Sequence, residues 1–469
     1  MGCGTASRQW PIQVRGVSGG KVEALVDVGL GNSAYLVDLG DGRALAVDAA
    51  RDLRSVRELA ARRGLTVAYA ADTHLHADFF SGAVQLAATD GAVVLASVAG
   101  GRAFPHRGLR DGDEVDLGGL VLRAWETPGH TDEHLAFLLL DGDSPVGVFT
   151  GGSLIVGAAA RTDLVAPERT EELARAQYHS LQRLMGLPDE VAVWPTHGAG
   201  SFCSSPPGSE RTSTIGRERA TNSLLAAAGE DEFVARLLGS LGSFPTYFRW
   251  LGEANRRGPA VLPGPLTLAP LAVGQVRRLM ADGATVVDVR PIEEYAAAHI
   301  PGSMSIELRS AFGTWLGWLL PEDAVVVVLR SRNQDPAEIL GQAAKVGYDI
   351  AGELTEGIAA WTGADLLTTS TALVTPTAMT ELERVLDIRQ DSEFAAGHVP
   401  GAEHSELGDL ASGAASLADG PVTVMCGHGE RAMSAASVLE RAGRDDVSVL
   451  HGGPSDWAAS RGVELESSP

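Results

Sequence analysis

The sequence predicts an α/β chain of three modules: a layered α/β unit followed by two small parallel-sheet α/β units. Three observations carry this. A chain of 469 residues is too long for one hydrophobic core and points to about three domains. Short apolar runs alternate with helical stretches along its length. A block in the second half occurs twice, in order. Hydrophobic residues make up 45% and charged residues 21%, which excludes a disordered chain. The net charge of -23 repels phosphate backbones and anionic lipid, so neither nucleic acid nor a membrane is expected as a partner.

The N-terminal elements follow in order. Ala34 to Leu39 and Ala44 to Val47 read as a hairpin across Asp41-Gly42. Val67 to Ala71 reads as a strand that ends in Asp72-Thr73-His74-Leu75-His76-Ala77-Asp78, and Gly82 to Ala88 suits a helix. Leu120 to Trp125 leads into Thr127-Pro128-Gly129-His130. His134 to Leu140 and Val146 to Phe149 form a second hairpin, and Val191 to Trp194 leads into Pro195-Thr196-His197-Gly198. Polar residues thus collect just past strand ends, where layered α/β folds place their sites. Gly258 to Pro265 is a Pro/Gly-rich linker. Beyond it, Val286-Val287-Asp288-Val289-Arg290 matches Val385-Leu386-Asp387-Ile388-Arg389, and His299-Ile300-Pro301-Gly302 matches His398-Val399-Pro400-Gly401. The expected modules are residues 1–262, 263–370 and 371–469.

The chain has three cysteines, Cys3, Cys203 and Cys426. An odd, sparse set is no disulfide framework and points to a reducing, cytoplasmic setting. The start, from Met1 to Gly20, shows no signal-peptide pattern, and no apolar run is long enough to span a membrane. Cys426 alone combines a strand end at Val422 to Met425, the turn Gly427-His428-Gly429, a closing Arg431 and a following helix over Ala432 to Arg441. Glycines let backbone N–H groups point at one spot, and the helix adds its positive end. A thiolate there is stabilised and stays nucleophilic. This segment resembles the rhodanese family, in which a Cys-x-x-x-x-Arg loop carries transferable sulfur. Asp387-Ile388-Arg389 and Gly397-His398-Val399-Pro400-Gly401 look like its other two signatures. The first copy departs from the pattern. Arg330 stands where Cys426 stands and Asp335 where Arg431 stands, so that copy is expected to be structural or a docking module.

His74 and His76 are two apart on an extended turn, and His130 follows another strand, a spread that suits zinc or iron. The order Thr73-His74-x-His76-x-Asp78, Pro128-Gly129-His130, Arg161-Thr162-Asp163 and Pro195-Thr196-His197-Gly198 resembles the metallo-β-lactamase superfamily. It looks most like the glyoxalase II and persulfide dioxygenase branch, and like its rhodanese fusions. The resemblance implies an αββα sandwich and a mononuclear iron(II) site that oxidises glutathione persulfide with O₂. Two residues depart from it. Phe79 replaces a second-metal histidine, and Gly152, in Thr150-Gly151-Gly152-Ser153, replaces an aspartate ligand. The expected ligands are therefore His74, His76 and His130 around one divalent metal, iron(II) before zinc, with an empty site as a further option. Asp78 and His197 are second candidates. Gly152→Asp is expected to raise iron affinity where the fold tolerates it. Arg161 is the candidate for anchoring a substrate carboxylate or shaping the pocket, with a structural salt bridge to a nearby acid as the alternative.

The expected function is sulfane-sulfur metabolism. Cys426 takes sulfur from thiosulfate or a low-molecular-weight persulfide and passes it to a thiol, beside a persulfide dioxygenase-like domain. The alternatives are a glyoxalase II-like thioester hydrolase, which needs a metal-activated water, and a metal-free scaffold with Cys426 as sulfur carrier. A homo-oligomer is left open.

Overall fold

The computed structural model describes residues 12–13, 21–204, 208–379, 384–413 and 417–467. Cys3 lies outside the described residues. The chain divides into two compact units, Met1–Phe244 with Phe248–Gly264, and Pro245–Tyr247 with Pro265–Pro469. The two sequence repeats thus share one unit, and the division at Gly264 falls in the Pro/Gly-rich stretch.

The first unit is built on two sheets. In the seven-stranded sheet, Val22–Asp27, Asn32–Asp38 and Arg43–Val47 form an antiparallel meander. Thr66–Ala71, Val93–Ser97 and Arg107–Leu109 then continue it in parallel. The parallel step needs a crossover, which is the helix Arg54–Arg63, closed by Gly64 in the left-handed region. The six-stranded sheet includes the hairpin Leu135–Asp141 and Ser144–Gly151, with Ala192–Pro195 parallel to the latter. Alternating residues of both sheets, including Val37, Leu45, Leu95, Leu122, Phe137, Phe149 and Trp194, meet in one buried layer. Helices Arg54–Arg63 and Ala83–Asp90 cover the outer face of the first sheet. Helices Thr170–Leu184 and Glu230–Gly239 cover the second. The result is the αββα sandwich. The hairpins expected at Asp41-Gly42 and around Asp143 both form.

In the second unit each repeat is a five-stranded parallel sheet, and both have the same strand order, 1-5-4-2-3. Central strands Val326–Leu329 and Val422–Met425 are buried throughout, as sheets covered on both faces require. Asp288 and Asp387 end equivalent strands. Each binds the arginine two residues on, Arg290 or Arg389, with both carboxylate oxygens. Each arginine also reaches the carbonyl before the histidine signature, Ala298 O or Gly397 O. The motif therefore staples strand to loop in both copies. Helix Glu430–Arg441 of the second repeat is built into the first. Ser437 Oγ accepts from Ser305 N at 3.1 Å, and Glu440 is held by His299 at 3.0 Å and Thr371 at 2.7 Å. Among the described residues, no helix is long and apolar enough to cross a membrane.

Candidate active sites

The polar strand ends of the first unit converge on His74, His130 and His197, all about 1% exposed. One ring nitrogen of each lies within 4.8 Å of the others. Hydrogen bonds set the tautomers. Thr73 Oγ1 gives its single proton to Asp48 Oδ2, so it accepts from His74 Nδ1 at 2.9 Å. His130 Nδ1 donates to Arg161 O at 2.7 Å. Asp78 Oδ2 accepts from Asn32 Nδ2 at 2.6 Å, which turns Asn32 Oδ1 towards His197 Nδ1 at 3.0 Å. Every Nδ1 is thus spent as a donor, and three Nε2 lone pairs face one another with no proton between them.

Burial, and then neighbouring rings, hold His74 well below the ordinary imidazole range and bring His130 and His197 down to about 3. Neutral imidazoles are what a cation binds. The 3.4 Å between His74 Nε2 and His197 Nε2 matches the ligand–ligand edge expected for metal–nitrogen bonds of about 2.1 Å. The donor set therefore fits one divalent metal, which His74, His130 and His197 could hold.

His76 does not join them. Its Nε2 lies 3.2 Å from Asp48 Oδ1, and its ring stacks on Phe79 at 4.1 Å. Burial would raise the Asp48 carboxyl, but His76 and the donors of Thr196 and Thr73 outweigh it and hold it at about 2. Asp48 in turn outweighs the effect of burial on His76 and raises it. Its Nε2 is thus engaged by Asp48, while its Nδ1 is buried without a hydrogen-bond partner. Of the candidates expected from the sequence, His74 and His130 thus lie together with His197, the second candidate, while His76 faces Asp48. Asp78 acts through Asn32, orienting His197, and its Oδ1 has no hydrogen-bond partner.

Gly152 is more than a lost ligand. A Cβ there would lie 2.4 Å from His130 Cδ2, so the imidazole occupies the space a side chain at 152 would need. Gln177 fixes this arrangement, accepting from His130 N and donating to the carbonyls of Gly152 and Ser153. His134 Nε2 accepts from Gly152 N at 3.0 Å. Arg161 is no free anchor either. Its five N–H donors go to Asp163 (both oxygens), Phe202 O, Ser243 O and Gly242 O, and its guanidinium lies 4.4 Å from the Phe244 ring centre. It is a strut that ties the Cys203 loop to the site. Cys203 itself is fully buried and its thiol is pushed well up by that burial.

In the second unit Cys426 ends its strand, 1% exposed, and its Sγ accepts from Gly429 N at 3.1 Å. Gly429 sits at φ +122°, which a side chain disfavours, and the helix starts at once with Glu430, two residues earlier than expected. Gly427 is part-buried and His428 is exposed. Arg431 closes the loop, but its charge is not free. It makes a two-pronged pair with Glu393 at 2.7 and 2.8 Å. In the first repeat, Arg330 turns back onto its own loop, donating to Gln334 O and pairing with Glu353, while Asp335 caps the next helix through Ala337 N.

Residues 27–197 match the metallo-beta-lactamase superfamily, and residues 272–364 and 375–460 each match the rhodanese-like domain. The human mitochondrial persulfide dioxygenase ETHE1 is 31% identical over 196 residues, 41% of this chain and 68% of that protein. The chain belongs to the metallo-beta-lactamase superfamily, with tandem rhodanese-like domains. A hydroxyacylglutathione hydrolase of Methylobacterium sp. (strain 4-46) is 34% identical over 127 residues, 27% of this chain and 46% of the relative. The metallo-beta-lactamase of Staphylococcus aureus subsp. aureus COL shares the fold with a TM-score of 0.62 at 29% identity. That match covers 71% of this chain and 98% of the other. In the metallo-beta-lactamase domain, sequence reasoning missed Asp48, Asn32, His134 and Gln177. Only Asp48, at a strand end, carried a local signal. The others act from distant segments.

Proposed function

We propose that the chain is a sulfane-sulfur enzyme of the cytoplasm. In it Cys426 carries transferable sulfur, and the metallo-beta-lactamase domain binds one divalent metal beside a thiol persulfide. The modules are residues 1–262, 263–370 and 371–469, the middle one inert in transfer. The observation that carries the reading is the Cys426 sulfur, at a strand end, bonded by Gly429 N at the mouth of a helix. That is a cradle for an anionic sulfur. The Cys426 thiolate attacks the outer sulfur of a donor. A sulfur–sulfur bond forms on Cys426, the donor's own sulfur–sulfur bond breaks, and its electron pair leaves with the donor thiolate.

In the first domain, His74, His130 and His197 would hold the metal, which when bound supplies Lewis-acid chemistry or, as iron, O₂ activation. The residues around it keep all three rings neutral and fixed through Thr73, Arg161 O and Asn32. A second reading, thioester hydrolysis, is favoured by the all-imidazole donor set. Without a carboxylate it leaves the metal's full charge to polarise water. Metal analysis of protein purified without oxygen, with persulfide-dependent O₂ uptake on the same sample, tests the choice. Iron with uptake supports dioxygenation, zinc without uptake supports hydrolysis, and a metal-free, well-folded protein overturns both.

A further inference from the structure

The surroundings of Cys426 carry an uneven charge. The arginines drawn up to the loop are each committed to a carboxylate: Arg431 to Glu393, Arg389 to Asp387, and Arg309 to Glu430 at 3.7 Å. Arg309 comes from the first repeat, whose Ile292 side chain also approaches within 2.9 Å of where a Gly429 Cβ would stand. The first repeat adds two more acids. Glu307 accepts from Ile292 N at 3.1 Å and is half-buried, and Glu293 lies 3.3 Å from His451. Burial, then the charges of Glu430 and Glu293, push the Glu307 carboxyl up, which places these acids within one another's field.

Two donors make different demands on such a mouth. With thiosulfate, the Cys426 thiolate takes the outer sulfur and sulfite leaves as a dianion, so its oxygens need a cation. With a thiol persulfide, the same bond forms and a singly charged thiolate leaves. We infer that Glu430 and Glu307 make the Cys426 loop selective, accepting sulfur from persulfides of low negative charge and turning away thiosulfate. The inference rests on the sulfurtransferase reading above. It gives the Cys-less repeat a part in choosing the donor. A unit charge about 7 Å from a dianion costs roughly five- to tenfold in occupancy even at water's dielectric, and the long, part-exposed pair with Arg309, at 3.7 Å, offsets only part of the Glu430 charge. Removing Glu430 also frees Arg309.

The test uses full-length protein and single-turnover loading of Cys426, read by intact mass, with thiosulfate and with cysteine persulfide. Wild type should load at least about tenfold faster from cysteine persulfide. Glu430→Gln and Glu307→Gln should each raise the thiosulfate-to-persulfide ratio roughly five- to tenfold, while Glu430→Asp keeps the wild-type preference. Added salt, to about 0.5 M, should raise the same ratio in wild type by screening, and should raise it less in Glu430→Gln and Glu307→Gln, where part of the field at the loop is already gone. Equal loading in wild type, or ratios unmoved in both glutamine variants and by salt, overturns the inference. Loading from neither donor overturns the sulfurtransferase reading itself, and the inference with it.

Discussion

The loops at Arg330 and Cys426 leave equivalent central strands of two sheets with the same strand order. At Cys426 the backbone turns through glycines, the sulfur takes Gly429 N, and the helix begins at once. At Arg330 a guanidinium fills the turn, bonded to Gln334 O and Glu353, and Asp335 spends its carboxylate on a helix cap. One loop turns a backbone N–H onto its sulfur, whereas the other has satisfied itself with its own side chains. Gly152 teaches the same lesson in the first unit, where the ring of His130 stands in the space a side chain would need. A lost functional residue is therefore best judged by what has moved into its place.

The largest effect that could break this comparison is at Cys426. Cys426→Ser should lose all cyanide-labile sulfur and all transfer, since the Cys203 thiol is pushed well up by its burial whereas Cys426 Sγ accepts from Gly429 N. Sulfur found on Cys203 by mass spectrometry would refute the contrast. Next, His130→Ala should empty the metal site, whereas His76→Gln, which can still donate to Asp48, should keep its metal. Elemental analysis of both variants decides whether His197 or His76 completes the set, and metal lost equally from the two would restore the sequence-based assignment.

Arg330→Cys, placed in the Cys426→Ser background, should recover no transfer, because a thiol alone builds no cradle. Measurable turnover would show that the first repeat lacks only its nucleophile. A smaller effect is expected at Gly152→Asp. Its Cβ would collide with His130 Cδ2 at 2.4 Å, so the variant should lose stability, by about 1–3 kcal/mol in a denaturant titration, rather than gain iron affinity. The smallest concerns Glu393, whose carboxyl Arg431 holds below its ordinary range against the effect of burial. A depressed acid contributes stability above its unfolded pKa of about 4.3 and loses it as pH falls further. Its side chain is 39% exposed. Glu393→Gln should therefore flatten the acid limb of the stability curve by no more than about 1 kcal/mol.

Much of the molecule was legible in local pattern. The hairpins, the repeat, the strand ends and the Cys426 loop depend on residues within a few positions of one another. Periodicity and turn chemistry report such features directly. The same locality explains why Arg330 and Gly152 stood out as departures. The site residues whose surroundings local pattern did not report share the opposite cause. His76 was grouped with His74 because two residues separate them, yet its ring goes to Asp48, 28 positions away in sequence. His197 stood as a second candidate, and Asn32, 165 positions away, frees its Nε2 to face His74. For Arg161 the sequence left an anchor and a structural salt bridge both open, and Asp163, Phe202 and Gly242 take its donors. By itself the sequence determined which segments become strands and helices, where their polar ends fall, and which copy keeps a thiol. Only the tertiary structure decided which nitrogen of which histidine stays bare, and which charges around Cys426 are already neutralised. A lone pair or a charge is free only when every partner that folding brings within about 3 Å has been counted.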